Sequence, residues 1–483
     1  MKVTLMRTMF AIAFGALLSA ACAVGPNYRA PPIAPAQVRN AQSAEFAART
    51  PEALWWQEFE DPELDALVGR ALAGNLDLRS AFDRVKAARA VFVERNLDYA
   101  PHVQLDANYS HFEEQEPGFG TSRFNAQSDS LGFDATWELD LFGRVRRSVE
   151  AARADLDSER ANYQDAQVTV AAEVARNYFE LRGAQKRLVV ARENLATQQQ
   201  TLELTQLLDE TGRGSELDVQ RSRARLKATE ATIPPLQAAE KQSAYRLAVL
   251  LSERPGQLDE ELHPAAVATY AKVLPIGDPT ELLRRRPDVR AAERQLAAAT
   301  ARVGVATADL FPRVNVTGFV GFLSGDIGQL FSTSGGNNAR AWSISPTISW
   351  AAFDLGSVRA RLRASEAQSD AAAANYQKVV LTALEDAENS FVAYSSQQTQ
   401  LKSLSEQEQS SRRAADIAEI QYREGVADFL VLLDAQRTQL DAQDAVAQAE
   451  TSVNVAVVAI YKAMGGVGQP PRDDAAAKVA RVP

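Results

Sequence analysis

The residues able to do chemistry are few and poorly spaced for catalysis. Of three histidines, His102 and His111 sit on or beside the first strand and His263 in an irregular stretch, none at a metal-ligand spacing. Gly321-Phe322-Leu323-Ser324-Gly325 places its serine fourth rather than third, which excludes a nucleophile elbow. Gly118-Phe119-Gly120 lacks the third glycine and the strand-to-helix setting of a dinucleotide loop. No catalytic, metal or cofactor site can be assembled, so the sequence reads as a protein that is not an enzyme. What remains is one thiol, Cys22, and many carboxylates, most on solvated helix faces.

Cys22 is the only cysteine, so no internal disulfide can form, and it directly follows a segment with the plan of a signal peptide. Lys2 and Arg7 precede an apolar run from Met9 to Ala21 that closes on small residues. The chain is therefore read as exported, with residues 1–21 removed. A lone cysteine at that place suits acylation. Leu18-Ser19-Ala20-Ala21-Cys22 resembles a bacterial lipobox, although Ser19 stands where leucine is preferred. Ordinary cleavage after Ala21 or Ala23, with Cys22 incidental, is the alternative. The net charge of -10 speaks against nucleic acid as a partner. No second apolar run approaches the ~20 residues of a membrane helix, so any membrane crossing must use strands.

The elements that carry these residues are written twice. Asn75-Leu76-Asp77-Leu78-Arg79 aligns with Arg286-Pro287-Asp288-Val289-Arg290 at a shift of 211. Trp137, Gly143, Val145 and Arg146 meet Trp350, Gly356, Val358 and Arg359 at 213, and Gly212 and Leu217 likewise meet Gly425 and Leu430. The chain is a tandem duplication. After an N-terminal extended segment over 22–60, the first repeat covers 61–273, with strands about 102–112 and 127–141 and a helical hairpin over 144–254. The second covers 274–466, with strands about 313–323 and 341–353 and a hairpin over 357–464. A flexible tail follows over 467–483.

The strands alternate apolar and polar residues. Val103, Leu105, Ala107 and Tyr109 interleave with Gln104, Asp106 and Asn108; Trp342, Ile344, Pro346, Ile348 and Trp350 interleave with Ser343, Ser345, Thr347 and Ser349. A soluble sandwich alternates too. Strands of about ten residues in an exported chain fit an outer-membrane barrel, with Tyr109, Trp137, Trp342 and Trp350 as interfacial anchors. Four strands cannot close a barrel, and an open edge is untenable in lipid, so closure demands several chains. On the polar face Asp106, Asp134, Glu138 and Asp140 are expected to line the lumen and make it acidic, favouring cations; plain solvation of a wide channel is the alternative.

The helices carry a coiled-coil seam. No proline interrupts residues 144–211, where Val174, Leu181, Leu188, Leu195 and Leu202 recur every seven residues. The hairpins turn at Gly212-Arg213-Gly214 and at Gly425, and Pro234-Pro235 should break or kink the first return limb.

Taken in order, Gly25-Pro26-Asn27-Tyr28, Trp55-Trp56 with Asp61-Pro62, Trp137-Glu138-Leu139-Asp140-Leu141-Phe142-Gly143-Arg144, Arg285-Arg286-Pro287-Asp288-Val289-Arg290 and the run from Gly425 to Arg437 resemble the TolC-like outer-membrane factor family, in its lipoprotein branch serving tripartite efflux systems. The resemblance implies a fold mixing an all-α tunnel with a transmembrane β-barrel, and a homotrimer with a 12-stranded barrel and a periplasmic tunnel. It implies a cell outer-membrane location in contact with lipid, and a passive exit duct for drugs or other small toxic compounds. Implied partners are a periplasmic adaptor (membrane fusion) protein and an inner-membrane transporter of the resistance-nodulation-division (RND) class. Metal-ion efflux or type I secretion by the same channel, and a periplasmic coiled-coil scaffold without a pore, are the other readings.

The resemblance also implies site residues. Leu430 matches the apolar constriction of the periplasmic gate, Asp434 an aspartate that rings the pore, and Arg437 an arginine that ties neighbouring helices in the closed state. At Val431 the best-known member has another aspartate, so one acidic ring is absent. An ordinary seam leucine at 430, and a surface pair of Asp434 with Arg437, is the bland alternative. Adaptor contacts are expected at the two tips, over Gly212, Arg213 and Gly214 and over Gly425, Val426 and Ala427.

Overall fold

The computed structural model describes residues 23–31, 38–42, 45–47, 49, 54–115, 123–265, 269–270, 272–277, 285–333 and 338–466. The expected signal peptide, Cys22 and the tail at 467–483 lie outside the described residues. Chain order runs β1 (Phe46–Ala47), α1 (Pro62–Gly74), α2 (Leu76–Leu97), β2 (His102–Gln115), β3 (Arg123–Leu139), α3 (Arg144–Glu210), α4 (Glu216–Glu230), α5 (Ile233–Leu250), β4 (Leu274–Pro275), α6 (Pro287–Ala308), β5 (Arg313–Ser324), β6 (Arg340–Ser349), α7 (Leu355–Arg423) and α8 (Phe429–Ala463). The compact units cut across the two repeats. One comprises Met1–Pro32, Arg84–Glu159 and Ala291–Gln377; the other comprises Ile33–Asp83, Arg160–Arg290 and Lys378–Pro483.

The first unit holds an antiparallel sheet in the order β2-β3-β5-β6. Its register aligns the alternation of all four strands. Leu105 faces Phe133, Phe133 faces Val320 and Val320 faces Trp342, so one apolar row crosses the sheet. His102, Thr136, Thr317 and Ser345 make a polar row on the other face. The apolar row is bare: Leu105 is 64% exposed and Trp342 76%. A soluble sandwich would bury such a face against a second sheet, whereas hydrocarbon solvates it at no cost. β2 and β6 each keep one unpaired edge among the described residues, which in lipid must pair with another chain.

Two strands stop short of the expected bounds, while β2 runs on to Gln115 and β3 begins at Arg123. β3 stops at Leu139 and β6 at Ser349, short of the expected 141 and 353. Asp140 instead serves the next helix, and Trp350 turns back so that its indole N–H donates to the Leu310 carbonyl at 3.0 Å. The Trp137 indole does the same to Tyr99 at 3.1 Å. These two tryptophans tie strand ends to the turns that follow α2 and α6.

In the same unit, the residues after Cys22 are fastened to the strand–helix junction. Val24 N–H donates to the Phe142 carbonyl at 3.1 Å, and the Arg147 guanidinium donates to the Asn27 side chain at 2.6 Å. Tyr28 donates to Glu293 and lies under the Arg294 guanidinium at 5.6 Å.

The second unit is helical. Val174, Leu181 and Leu188 of the seam are buried, as are Phe391 and Tyr394 of α7 and Val453, Val457, Ile460 and Tyr461 of α8. α3 has 67 residues and α7 69, lengths of about 100 Å at 1.5 Å per residue. The break in the first return limb falls at Ala231 and Thr232. Pro234 and Pro235 then occupy the first turn of α5, where a missing N–H costs nothing. Trp55 stacks on Tyr461 at 5.1 Å, Asp61 caps α1 by accepting from the Glu63 and Leu64 amides, and Asn75 accepts from those of Asp77 and Leu78. β1 and β4 form a short parallel pair linking the N-terminal segment to the irregular stretch before α6.

Candidate channel gate

The two hairpin tips share one backbone solution. Gly212 has φ +69° and Gly425 φ +75°, a left-handed conformation that glycine adopts without Cβ strain. Arg213 and Gly214 N–H both donate to the Leu208 carbonyl; Val426 and Ala427 N–H both donate to that of Gln421. Such bonds satisfy carbonyls that the last helical turn would leave open. The tips lie side by side, with Arg213 Nη2 3.7 Å from the point where a Cβ on Gly425 would sit. Burial pushes the Tyr422 phenol pKa up, and the nearby Asp218 carboxylate adds to it.

The sequence of α8 opens Phe429-Leu430-Val431-Leu432-Leu433, a run with no readable sidedness. The fold assigns the sides. Phe429 (3% exposed) and Leu432 (1%) pack with Ala418 and Tyr422 of α7, and Leu204 and Leu208 of α3 lie against that cluster. Leu430 points away and is 52% exposed. It is therefore not a seam leucine within this chain. Asp434 and Arg437, one and two turns further on, are also exposed, which makes a single outward stripe. The surface pair between these two is not what forms: Arg437 Nε lies 3.8 Å from Asp441.

Behind this stripe, α4 turns a polar face inward. Ser222 and Thr229 are buried, and their hydroxyl oxygens have no hydrogen-bond partner; between them Arg225 has neither Nε nor Nη2 paired. Burial pushes the Arg225 pKa down, opposed by the nearby Asp441 carboxylate and reinforced by Arg437. Sequence reasoning passed over this face. Its signal was readable: Val219, Ser222, Leu226 and Thr229 follow the three–four spacing of a seam, with polar residues in two of the four places.

The four barrel acids part company. Asp106 is exposed and Asp134 half-buried on the polar face. Glu138 is held by Arg144, whose Nε donates at 2.8 Å. Asp140 lies beyond the strand and caps α3, accepting from the Val145 and Arg146 amides at 3.0 Å and from Arg146 Nε at 3.1 Å. Asp140 thus stands outside the strand, while Glu138 stays on the polar face of β3 with Asp134, paired with Arg144.

Further anchors also went unread. Arg182, buried, donates to Glu63, to Gln185 and to the His263 carbonyl, and lies 5.1 Å over the Tyr178 ring. It borders a cavity of about 280 Å³ whose lining includes Phe179, Lys186, Pro264 and Thr451. Arg286 binds Asp288 through Nε and Nη2 and the Ala463 carbonyl at 2.7 Å, which gives the Arg286-Pro287-Asp288 motif a structural role. These contacts join residues far apart in the chain, where local patterning is silent.

The sequence profile of the outer membrane efflux protein family matches residues 67–253 and 279–466. The chain belongs to that family. It is 33% identical over 479 residues to the antibiotic efflux pump outer membrane protein ArpC of Pseudomonas putida, covering 95% of this chain and 96% of that one. It is 29% identical to nodulation protein T of Rhizobium leguminosarum bv. trifolii, covering 92% and 94%. Among solved structures, the outer-membrane channel OprN shares 50% identity at a TM-score of 0.89, covering 92% and 99%. The open-state MtrE channel of Neisseria gonorrhoeae shares 28% identity at 0.80, covering 92% and 99%. The fold is that of the outer-membrane efflux channels, a trimer that combines a 12-stranded β-barrel with an α-helical tunnel. The bare apolar face is the barrel's lipid face. The protein is an outer-membrane efflux channel.

Proposed function

We propose that this channel is the passive exit duct of a tripartite pump for drugs or organic solvents, closed at rest by rings of Leu430 and Asp434 and by Arg437 contacts. The single observation that carries the gate is the outward stripe Leu430, Asp434, Arg437 on α8, opposite the packed Phe429–Leu432 side. In a trimer three Leu430 side chains exclude water from a narrow bore, while three Asp434 carboxylates repel one another. A periplasmic adaptor binding the tips at Gly212–Gly214 and Gly425–Ala427 opens the bore if it binds the open arrangement more tightly. An inner-membrane transporter of the resistance-nodulation-division class supplies the cargo. The relatives named for antibiotic, toluene and solvent efflux favour small apolar cargo over metal ions or secreted protein. Leu430→Ala and Arg437→Ala should each raise the conductance of the purified trimer in planar bilayers; unchanged conductance in both sinks the gate.

Cys22 is proposed as the lipid anchor. Val24 is held at Phe142, beside the end of β3, so an acyl chain two residues away would enter the leaflet that the strands cross. Metabolic labelling with a palmitate analogue should tag the parent and leave Cys22→Ser untagged; label retained in the serine variant excludes the assignment.

A further inference from the structure

Four arginines of this chain show how the guanidinium fork is used. Arg187 grips Asp444 through Nε at 2.7 Å and Nη2 at 2.9 Å, and Arg144, Arg286 and Arg294 hold Glu138, Asp288 and Glu293 through the same edge. In Arg225 that edge is buried and both of its nitrogens are without a partner. The orphan hydroxyls of Ser222 and Thr229 lie on the same inward face, one turn to either side. A desolvated fork left open is costly, and its natural occupant is a carboxylate. Asp441 of α8 is the acid whose charge acts on Arg225. In the arrangement seen here Asp441 stands instead beside Arg437, at 3.8 Å and on an exposed surface, a contact worth little.

We infer that Arg225 is a second seat for the Asp441 carboxylate, so that Asp441 passes from Arg437 on α8 to the fork of Arg225 on α4 when the gate opens. The exchange breaks a weak exposed pair and forms a bidentate desolvated one. It also frees Arg437 from its own helix, which couples the outward stripe to the inward face of α4. Arg225 is thereby a positioning residue, acting on the gate through Asp441. The inference rests on the gate reading above.

The test uses the purified full-length trimer in planar bilayers. Arg225→Met removes the fork and keeps the aliphatic stem; it should lower mean conductance severalfold in the parent and have no effect in an Asp441→Asn background. Arg225→Lys, which keeps the charge without the planar fork, should behave as the methionine variant does and carries the test if that variant fails to assemble. Equal effects of Arg225→Met with and without Asp441, a rise in conductance, or parental behaviour of Arg225→Lys each overturn the inference. If Leu430→Ala and Arg437→Ala are both silent as well, the gate reading falls with it; if either raises conductance, only the role of Arg225 falls.

Discussion

The return limbs α4 and α8 occupy equivalent places in the two repeats and are built on opposite principles. At the shift of 213, Val219 corresponds to Leu432, Ser222 to Ala435 and Thr229 to Ala442. Behind its tip α8 buries Phe429 and Leu432 in an apolar cluster. Its buried Gln436 is paired, donating to Thr201 at 3.0 Å and accepting from Gln198 at 3.2 Å. α4 buries two unpaired hydroxyls and half a guanidinium. Duplication therefore kept the tip backbone, with its paired glycines, and let the packing diverge. One limb is held by apolar burial; the other keeps polar groups whose partners belong to a different arrangement. A channel that must open needs such an asymmetry, because two equally well-packed limbs leave nothing to rearrange.

The comparison breaks first at Leu432. Leu432→Ala should destabilise the second tip by about 2–5 kcal/mol, the range for a fully buried leucine. Hydrogen exchange across residues 416–435 should then speed up, with the barrel strands unaffected. Val219→Ala, its counterpart on α4, should accelerate exchange over 216–230 by much less. Equal effects would mean that the apolar cluster is no better packed than the polar face, and the contrast would be lost.

Much of this architecture was legible in local patterning. Period-two alternation located the four strands because both faces of a membrane sheet impose their solvent at every residue. Gly212 and Gly425 marked the tips, since a left-handed turn selects glycine. The gate's sidedness was not legible: in Phe429-Leu430-Val431-Leu432-Leu433 every residue is apolar, and only the packing of α3 and α7 decides which face is inward. Asp140 misled for a related reason. It continues the alternation of β3 by one step, yet its carboxylate closes the α3 N-terminus, a role set by where the strand ends rather than by its period. The Arg182 and Arg286 networks join segments 81 to 177 residues apart, beyond the reach of any pattern.

The smallest effect gives the sharpest test, because its sign should invert between the limbs. Gln436→Leu strips the partner from Thr201 and Gln198 and should cost about 1–3 kcal/mol, the penalty for leaving buried polar groups unmatched. Thr229→Val removes a hydroxyl that already lacks a partner and keeps the shape of the side chain. It should therefore stabilise α4 by up to about 1 kcal/mol, slowing exchange over 216–230. The same substitution should leave the resting conductance unchanged if the hydroxyl serves only the static packing, and should alter it if Thr229 gains a partner on opening. Slower exchange with altered conductance would place Thr229 in the rearrangement with Arg225; faster exchange would mean that its hydroxyl is already matched and that the two limbs do not differ as described.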